Sequence, residues 1–219
     1  MSLLRVDSSV LGSYSSSREL ADIVQKHWLE EHPSAVVTTR DLAQDLLPTG
    51  AWAAAVRSGQ TPKEQWTAEE TAAAGLAATL YDELAKAETI IVATGLYNWG
   101  INQYLKSWID LIMTDGRCQS QPPVLQGKDV ALVVARGGYY GPGAPKEGWD
   151  HGTPWLERVL SEVWGGAVTL IEREFTLVGR VPALDQFTDQ AAELYTAAKA
   201  KSQAVGRDMA AAYAARKSA

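Results

Sequence analysis

Several things are scarce in this sequence, and each scarcity excludes something. There is one cysteine, Cys118, in 219 residues. An internal disulfide is impossible, and a reducing compartment is expected. The three histidines, His27, His32 and His151, stand far apart, and neither an HxxxH nor a CxxC spacing occurs. A zinc centre therefore has no ligand set to draw on. Lys and Arg number 20 against 26 Asp and Glu, a net charge of −6. Duplex nucleic acid demands a basic footprint, so a nucleic-acid partner is not expected. No apolar run is long enough to cross a membrane. The N-terminal Met1-Ser2-Leu3-Leu4-Arg5-Val6 lacks the pattern of a secretory signal, which makes a cytoplasmic protein the expectation. Phenylalanine is nearly absent too: two, against eight tryptophans and eight tyrosines. Almost every aromatic ring thus carries a polar handle, which suits surfaces that meet a planar ligand or a partner.

What is present alternates between two periods. Leu3–Asp7, Ala35–Arg40, Thr89–Thr94, Val130–Ala135 and Ala167–Phe175 read as strands. Two of them, at 89–94 and 130–135, are continuously apolar, as strands buried on both faces of a parallel sheet are. Glu172-Arg173-Glu174 closes the fifth strand with charge and marks a sheet edge. Between them lie helical patterns. Leu20, Ile23, Val24 and Trp28 share one face of a helix that Pro33 ends, with Ser16 and Glu19 spaced as a capping box. Thr67–Lys86 is rich in alanine and glutamate; Ile101, Tyr104, Leu105, Trp108, Ile109 and Ile112 recur at steps of three and four. Further helices are expected from Pro154 to Trp164 and from about Asp185 to Lys217. Residues 42–66 form an irregular excursion with room for a short helix. Five strands interleaved with five helices imply one doubly wound α/β domain over residues 1–219, with ligands at the carboxyl ends of the strands.

Three segments leave those ends. After strand one, Asp7 to Ser17 holds six serines, the last three entering a helix N-terminus. Hydroxyls and free helix amides together form an anion site; the same residues also serve as a serine-rich turn with one capping serine. Neither a Walker lysine nor a G-x-G-x-x-G fingerprint is present. After strand three, Gly95-Leu96-Tyr97-Asn98-Trp99-Gly100 offers rings and amides to a flat heterocycle, or plugs the sheet end. After strand four, Ala135-Arg136-Gly137-Gly138 lets backbone approach a ligand closely. A phosphate pocket, a ring platform and a glycine edge at one end of one sheet describe a phosphorylated planar heterocycle. FMN fits that description better than a dinucleotide, since no acidic residue for a ribose hydroxyl follows a Rossmann turn.

These residues resemble a known family. Ser8-Ser9 with Tyr14-Ser15-Ser16-Ser17, then Tyr97-Asn98-Trp99, then Arg136-Gly137-Gly138, together with Arg40-Asp41-Leu42 and Leu105-Lys106-Ser107-Trp108-Ile109-Asp110, resemble the FMN-dependent NADH-azoreductases among the flavodoxin-like NAD(P)H:quinone oxidoreductases. The resemblance runs along nearly the whole chain. It implies a flavodoxin-like fold, a five-stranded parallel sheet of order 2-1-3-4-5 with helices on both faces. It implies that Ser9, Ser15, Ser16 and Ser17 hold the FMN phosphate, that Leu96, Tyr97, Asn98 and Trp99 line the isoalloxazine, and that Ala135, Arg136, Gly137 and Gly138 border its other edge. It implies hydride from NADH or NADPH passed by a ping-pong route to a quinone, azo compound or related aromatic acceptor. It also implies a homodimer, with the helix Ile101–Met113 placed to face the partner.

The chain departs from the family pattern at Gly95-Leu96, at Ala135 in place of a common serine, and at Tyr139-Tyr140 in place of a histidine close after the glycine pair. These departures bear on the acceptor rather than on the cofactor. Tyr139, Tyr140 and His151 are the candidate proton donors. A flavodoxin-type electron carrier, and a specialised flavin reductase acting on a biosynthetic intermediate, are the alternatives within the flavin class. A serine hydrolase lacks its G-x-S-x-G elbow. His27 is expected to be structural, His32 to favour the negative end of its helix, and Cys118 to have no base to activate it.

Overall fold

The computed structural model describes residues 1–218. Five strands, β1 (Ser2–Asp7), β2 (Val36–Asp41), β3 (Thr89–Gly95), β4 (Asp129–Ala135) and β5 (Ala167–Arg173), form one sheet of order β2-β1-β3-β4-β5. All four pairings are parallel, so every strand delivers its carboxyl end to the same edge. The reversal of strand order between β1 and β3 opens a crevice there, the switch point at which α/β sheets bind ligands.

Six α-helices cover the sheet among the described residues: α1 (Ser16–Glu31), α2 (Ala51–Ser58), α3 (Ala68–Lys86), α4 (Gln103–Ile112), α5 (Thr153–Arg158) and α6 (Thr188–Ser218). α2 is the short helix for which the excursion at 42–66 has room. Three-residue helical turns flank some of these, and α5 continues into a π-helical turn over Val159–Val163. The two faces of the sheet bury separate cores. One unites Leu4, Ile90, Leu132 and Val134 with Leu80 and Leu84 of α3, Trp108 of α4 and Trp164. The other unites Leu3, Ile91, Val133 and Ile171 with Leu20, Val24 and Trp28 of α1 and Met209 of α6. Alternation along each strand assigns neighbouring residues to opposite cores, as the strand period requires.

α1 and α6 pack closely enough that a Cβ at Gly206 would stand 2.5 Å from the Val24 carbonyl oxygen, so glycine is required at that crossing. His27 lies half-buried against the same contact and holds Glu30 through Nδ1 at 2.7 Å. His32 caps α1 and reaches across to the Ala210 carbonyl at 3.1 Å, its ring set edge-on to Trp28 and Tyr213. Both are structural groups. Fully buried Trp28, Trp108 and Trp164 likewise belong to the cores, and Trp108 and Trp164 meet edge to face at 5.8 Å.

Candidate active site

The segment after β1 is the candidate anion site, and its cap differs from the expected one. Ser15, not Ser16, caps α1: its Oγ accepts the Arg18 backbone N–H at 3.3 Å. Glu19 does not close a capping box; it takes the Tyr195 hydroxyl of α6 instead. The reason lies in the loop, where a helical turn at Gly12–Tyr14 brings Ser15 to the cap one residue early. Ser15 Oγ lies 3.1 Å from Ser17 Oγ, and both side chains are buried, as is Ser9. Ser16 is half-buried. First-turn amides have no partner within their own helix, so Ser16 and Ser17 present N–H groups at the positive end of the α1 dipole. The set suits a phosphate.

Beneath this loop sits a polar cluster that the motifs did not announce. In the β1–β2 register Asp7 lies beside Asp41, two carboxylates side by side at the sheet end. Arg18 stands between them. Its guanidinium forks onto Asp41 at 2.6 and 2.7 Å, reaches Asp7 at 3.4 Å and donates to the Ser9 carbonyl at 3.0 Å. Arg5 holds Asp7 from the other side at 3.0 Å. The Arg18 fork keeps the Asp41 carboxyl below its usual range, while burial pushes Asp7 up against the pull of Arg5 and Arg18. The one arginine of the loop thus fixes the position of Ser9 from below and is already paired. The available signal was the aspartate ending each of two strands that then proved adjacent.

The segment after β3 makes the ring platform. Tyr97 and Gly100 exchange backbone hydrogen bonds at 2.8 and 3.0 Å, forcing Asn98 and Trp99 between them into the left-handed region at φ 48° and 66°. Asparagine tolerates this; an indole there is strained by roughly 1–2 kcal/mol. Strain of this kind collects at functional sites. The Tyr97 hydroxyl accepts the Val10 N–H at 3.2 Å and lies 3.3 Å from Ser9 Oγ, tying ring loop to phosphate loop. Gly95 makes room for it, since a Cβ there would meet the Tyr97 ring at 2.9 Å. Asn102 completes the tie. Its Oδ1 caps α4 at Leu105, and its Nδ2 donates to Ser8 at 2.9 and 3.0 Å. Leu96 and Tyr97 are half-buried, and Asn98 and Trp99 are exposed.

The segment after β4 closes the site. Leu96 donates to the Ala135 carbonyl at 2.8 Å. Gly137 and Gly138 lie against the turn after β5, where Leu177 and Phe175 donate to their carbonyls at 3.1 Å each. Nothing would meet a Cβ at Gly138 within 4 Å, so its backbone is open to a ligand. The Arg136 side chain turns away into a carboxylate nest, Glu174 at 2.7 Å, Asp150 at 2.7 Å and Glu172 beside them. Burial pushes the Glu174 carboxyl up despite Arg136. Arg136 therefore contributes its backbone to the rim, and its charge pins the glycine-rich segment 137–153 through Asp150 and Thr153.

That segment folds back over the platform. The His151 N–H donates to the Trp99 carbonyl at 2.9 Å, and the Gly152 backbone touches Gly100 so closely that a Cβ would stand 3.0 Å from it. The three candidate proton donors separate here. Tyr139 stacks on Phe175 at 5.7 Å, which in turn stacks on Phe187. The His151 side chain is exposed. Tyr140 is half-buried, and burial, with Glu174 and Asp150 nearby, raises its phenol. Cys118 lies far from all this, its Sγ donating to the Ile112 carbonyl at 3.2 Å and burial pushing the thiol up to about 11. Among the described residues, no cluster of three His, Cys, Asp or Glu is placed to hold a metal, and no helix is long and apolar enough to cross a membrane.

Comparison with known proteins bears on the fold and the family. Residues 1–169 match a family model described as "Flavodoxin-like fold". A Frankia casuarinae protein named "FMN-dependent NADH:quinone oxidoreductase" is 38% identical over 208 residues, 94% of this chain and 96% of its own length. A Streptomyces coelicolor protein of the same name is 32% identical over 84% of each chain. Among solved structures, an azoreductase from Bacillus anthracis str. Sterne superposes with a TM-score of 0.78 at 21% identity, over 95% of this chain and 99% of that one. An FMN-dependent NADH-azoreductase from Bacillus anthracis str. Ames Ancestor, in complex with FMN, does so at 0.69 and 14%, over 94% and 99%. At these identities the structural likenesses speak for the fold.

Proposed function

The chain belongs to the flavodoxin-like fold family and, at 38% identity along nearly its whole length, to its FMN-dependent NADH:quinone oxidoreductases; from that premise we propose that it reduces quinones and related aromatic acceptors by a ping-pong route at the carboxyl edge of its sheet. It is an oxidoreductase, with FMN as cofactor and NADH as electron source. The observation that carries the site assignment is the convergence of three loops. A hydroxyl-lined helix N-terminus, an exposed ring platform and an open glycine backbone meet at one sheet edge, tied together by Tyr97 and Asn102.

The residues present fit FMN. Ser9, Ser15, Ser16 and Ser17 would hold its phosphate with hydroxyls and helix amides, needing no lysine because the α1 dipole favours the anion. Leu96, Tyr97, Asn98 and Trp99 would line the ring on one side, and Ala135, Arg136, Gly137 and Gly138 would border it with backbone. Bound FMN supplies two-electron transfer between nicotinamide and acceptor at separate times. The chain's own groups do the rest. Loop 137–153 limits access of water. Tyr140, half-buried with its phenol raised by burial, would be the proton donor when an acceptor takes up two electrons. The overall balance is NADH, a quinone and one further proton giving NAD⁺ and a hydroquinone.

A homodimer is part of this reading. An apolar hollow of about 500 Å³ lies between residues 42–53 and α4, lined by Leu46, Leu47, Pro48, Trp52 and Tyr104. Trp52 and Leu46 are more than half exposed in the single chain, a surface that asks for a partner. A cytoplasmic location is part of the same reading, and the single thiol is compatible with it.

FMN titration and initial rates test the proposal. The purified protein is expected to bind FMN and quench its fluorescence, and to give parallel double-reciprocal lines when NADH and menadione are varied together. Converging lines would overturn the ping-pong route; no FMN binding would overturn the site.

A further inference from the structure

Segment 137–153 carries three charged groups beside the ring platform, and two are already committed. Glu147 accepts the Gly143 N–H at 2.8 Å. Asp150 accepts the Gly152 and Thr153 amides at 2.9 and 2.8 Å and pairs with Arg136 at 2.7 Å. The third, Lys146, has only rings. Its Nζ lies 5.2 Å from the centre of Trp99 and 5.8 Å from the centre of Trp149, and these two rings meet edge to face at 5.3 Å. Among the described residues no carboxylate lies within salt-bridge distance of it. Both indoles remain well exposed, 38% and 48%. A cation held over two tryptophans and left without a counter-ion is a recognition element. The rings fix its position, and its charge is free to meet a ligand.

We propose that Lys146, clipped between Trp99 and Trp149, is a specificity-determining residue that selects planar aromatic acceptors bearing a carboxylate or sulfonate. The proposal rests on the reading that Trp99 borders the flavin, and it names the kind of acceptor that reading leaves open. The chain as a whole carries −6 and repels anions at long range. The Lys146 ammonium, 5.2 Å from the centre of the Trp99 ring, gives an anionic substituent a direct partner there, an attraction that acts within the Debye length of about 8 Å at physiological salt. The flat body of the acceptor would lie along the exposed indoles while its anionic substituent meets Nζ. Lysine meets such a substituent as a compact charge with three donors.

The test compares two ligands of one ring system, an anthraquinone sulfonate and a neutral hydroxymethyl anthraquinone. Each is titrated against the FMN-loaded protein without NADH, by quenching of tryptophan fluorescence. Lys146 is exposed, so its variants are expected to fold. Lys146→Gln should weaken the sulfonate by about three- to tenfold and leave the neutral ligand within about twofold. Lys146→Glu should weaken the sulfonate further, and Lys146→Arg should keep most of its affinity. Raising salt should erase the preference in the wild type and change little in Lys146→Gln. Equal losses for both ligands, or none for the sulfonate, would overturn the proposal while leaving the enzyme reading intact. Failure of the wild type to bind either ring would instead strike the placement of Trp99 in the site.

Discussion

The proposed phosphate end and the proposed acceptor end of the site are built from different materials. At the phosphate end, buried charges and amides do the positioning. Arg18 joins Asp7, Asp41 and the Ser9 carbonyl, and Asn102 joins Ser8 to the start of α4. At the acceptor end, exposed rings and glycines do it: Trp99 over a strained turn, Trp149 and Lys146 beside it, Tyr140 behind. Buried polar partners lose free energy if misplaced, so they hold one geometry. Exposed ring contacts are weaker and replaceable. On the proposed reading, that contrast would fix the cofactor and leave the acceptor surface adjustable.

The sharpest way to break the contrast is at Arg18. Arg18→Gln leaves Asp41 and Asp7 facing each other without their shared cation and releases the Ser9 carbonyl. Loss of a partner from a largely buried pair costs about 3 kcal/mol, which denaturant titration would read. FMN affinity should fall by about tenfold or more. Asn102→Ala comes next. Loss of the α4 cap and of two bonds to Ser8 should destabilise by roughly 1–2 kcal/mol and weaken FMN without changing the preference among acceptors.

At the other end the outcome should invert. Trp99→Asn relieves the left-handed strain while discarding the indole contacts, so stability should stay within about 1 kcal/mol of the wild type. The KM for a quinone should rise about tenfold, while FMN affinity, with Trp99 one of four residues that would line the ring, should fall by less than in Arg18→Gln. Such a split, stability and cofactor on one side and acceptor on the other, is what the two-material picture requires. The smallest effect is one of pH. The Asp41 carboxyl is held low by Arg18, so its contribution is present above the usual aspartate range and is lost as pH falls through its lowered folded value. Asp7, pushed up by burial, works against it. Its penalty grows as pH rises through the usual carboxylate range and is complete above its raised folded value. Acid unfolding of Asp41→Asn should therefore be less steep below about pH 4.

Much of the fold is legible from the residues. Strands at 89–94 and 130–135 betray double burial by their unbroken apolar runs, and the edge strand betrays itself through Glu172, Arg173 and Glu174. The serine loop, the Tyr97–Trp99 segment and the glycine pair are visible as motifs because each comes directly after a strand. The strand order comes with the family resemblance. The Ser16–Glu19 spacing misleads, since the turn at Gly12–Tyr14 moves the cap to Ser15. The side-chain role of Arg136 is hidden as well, because its carboxylate partners lie on β5 and near α5, 14 to 38 positions away.

By itself, then, the sequence determined the alternation of strands and helices and the chemical character of each loop, because periodicity and residue type act over neighbouring positions. Tertiary structure alone decided that Asp7 and Asp41 stand side by side and require Arg18, that Asn102 finds Ser8 across 94 residues, and that Lys146 rests on Trp99. Those choices depend on strand register and loop return. Hydrogen bonds and charges act over a few ångströms of space, whatever the distance along the chain.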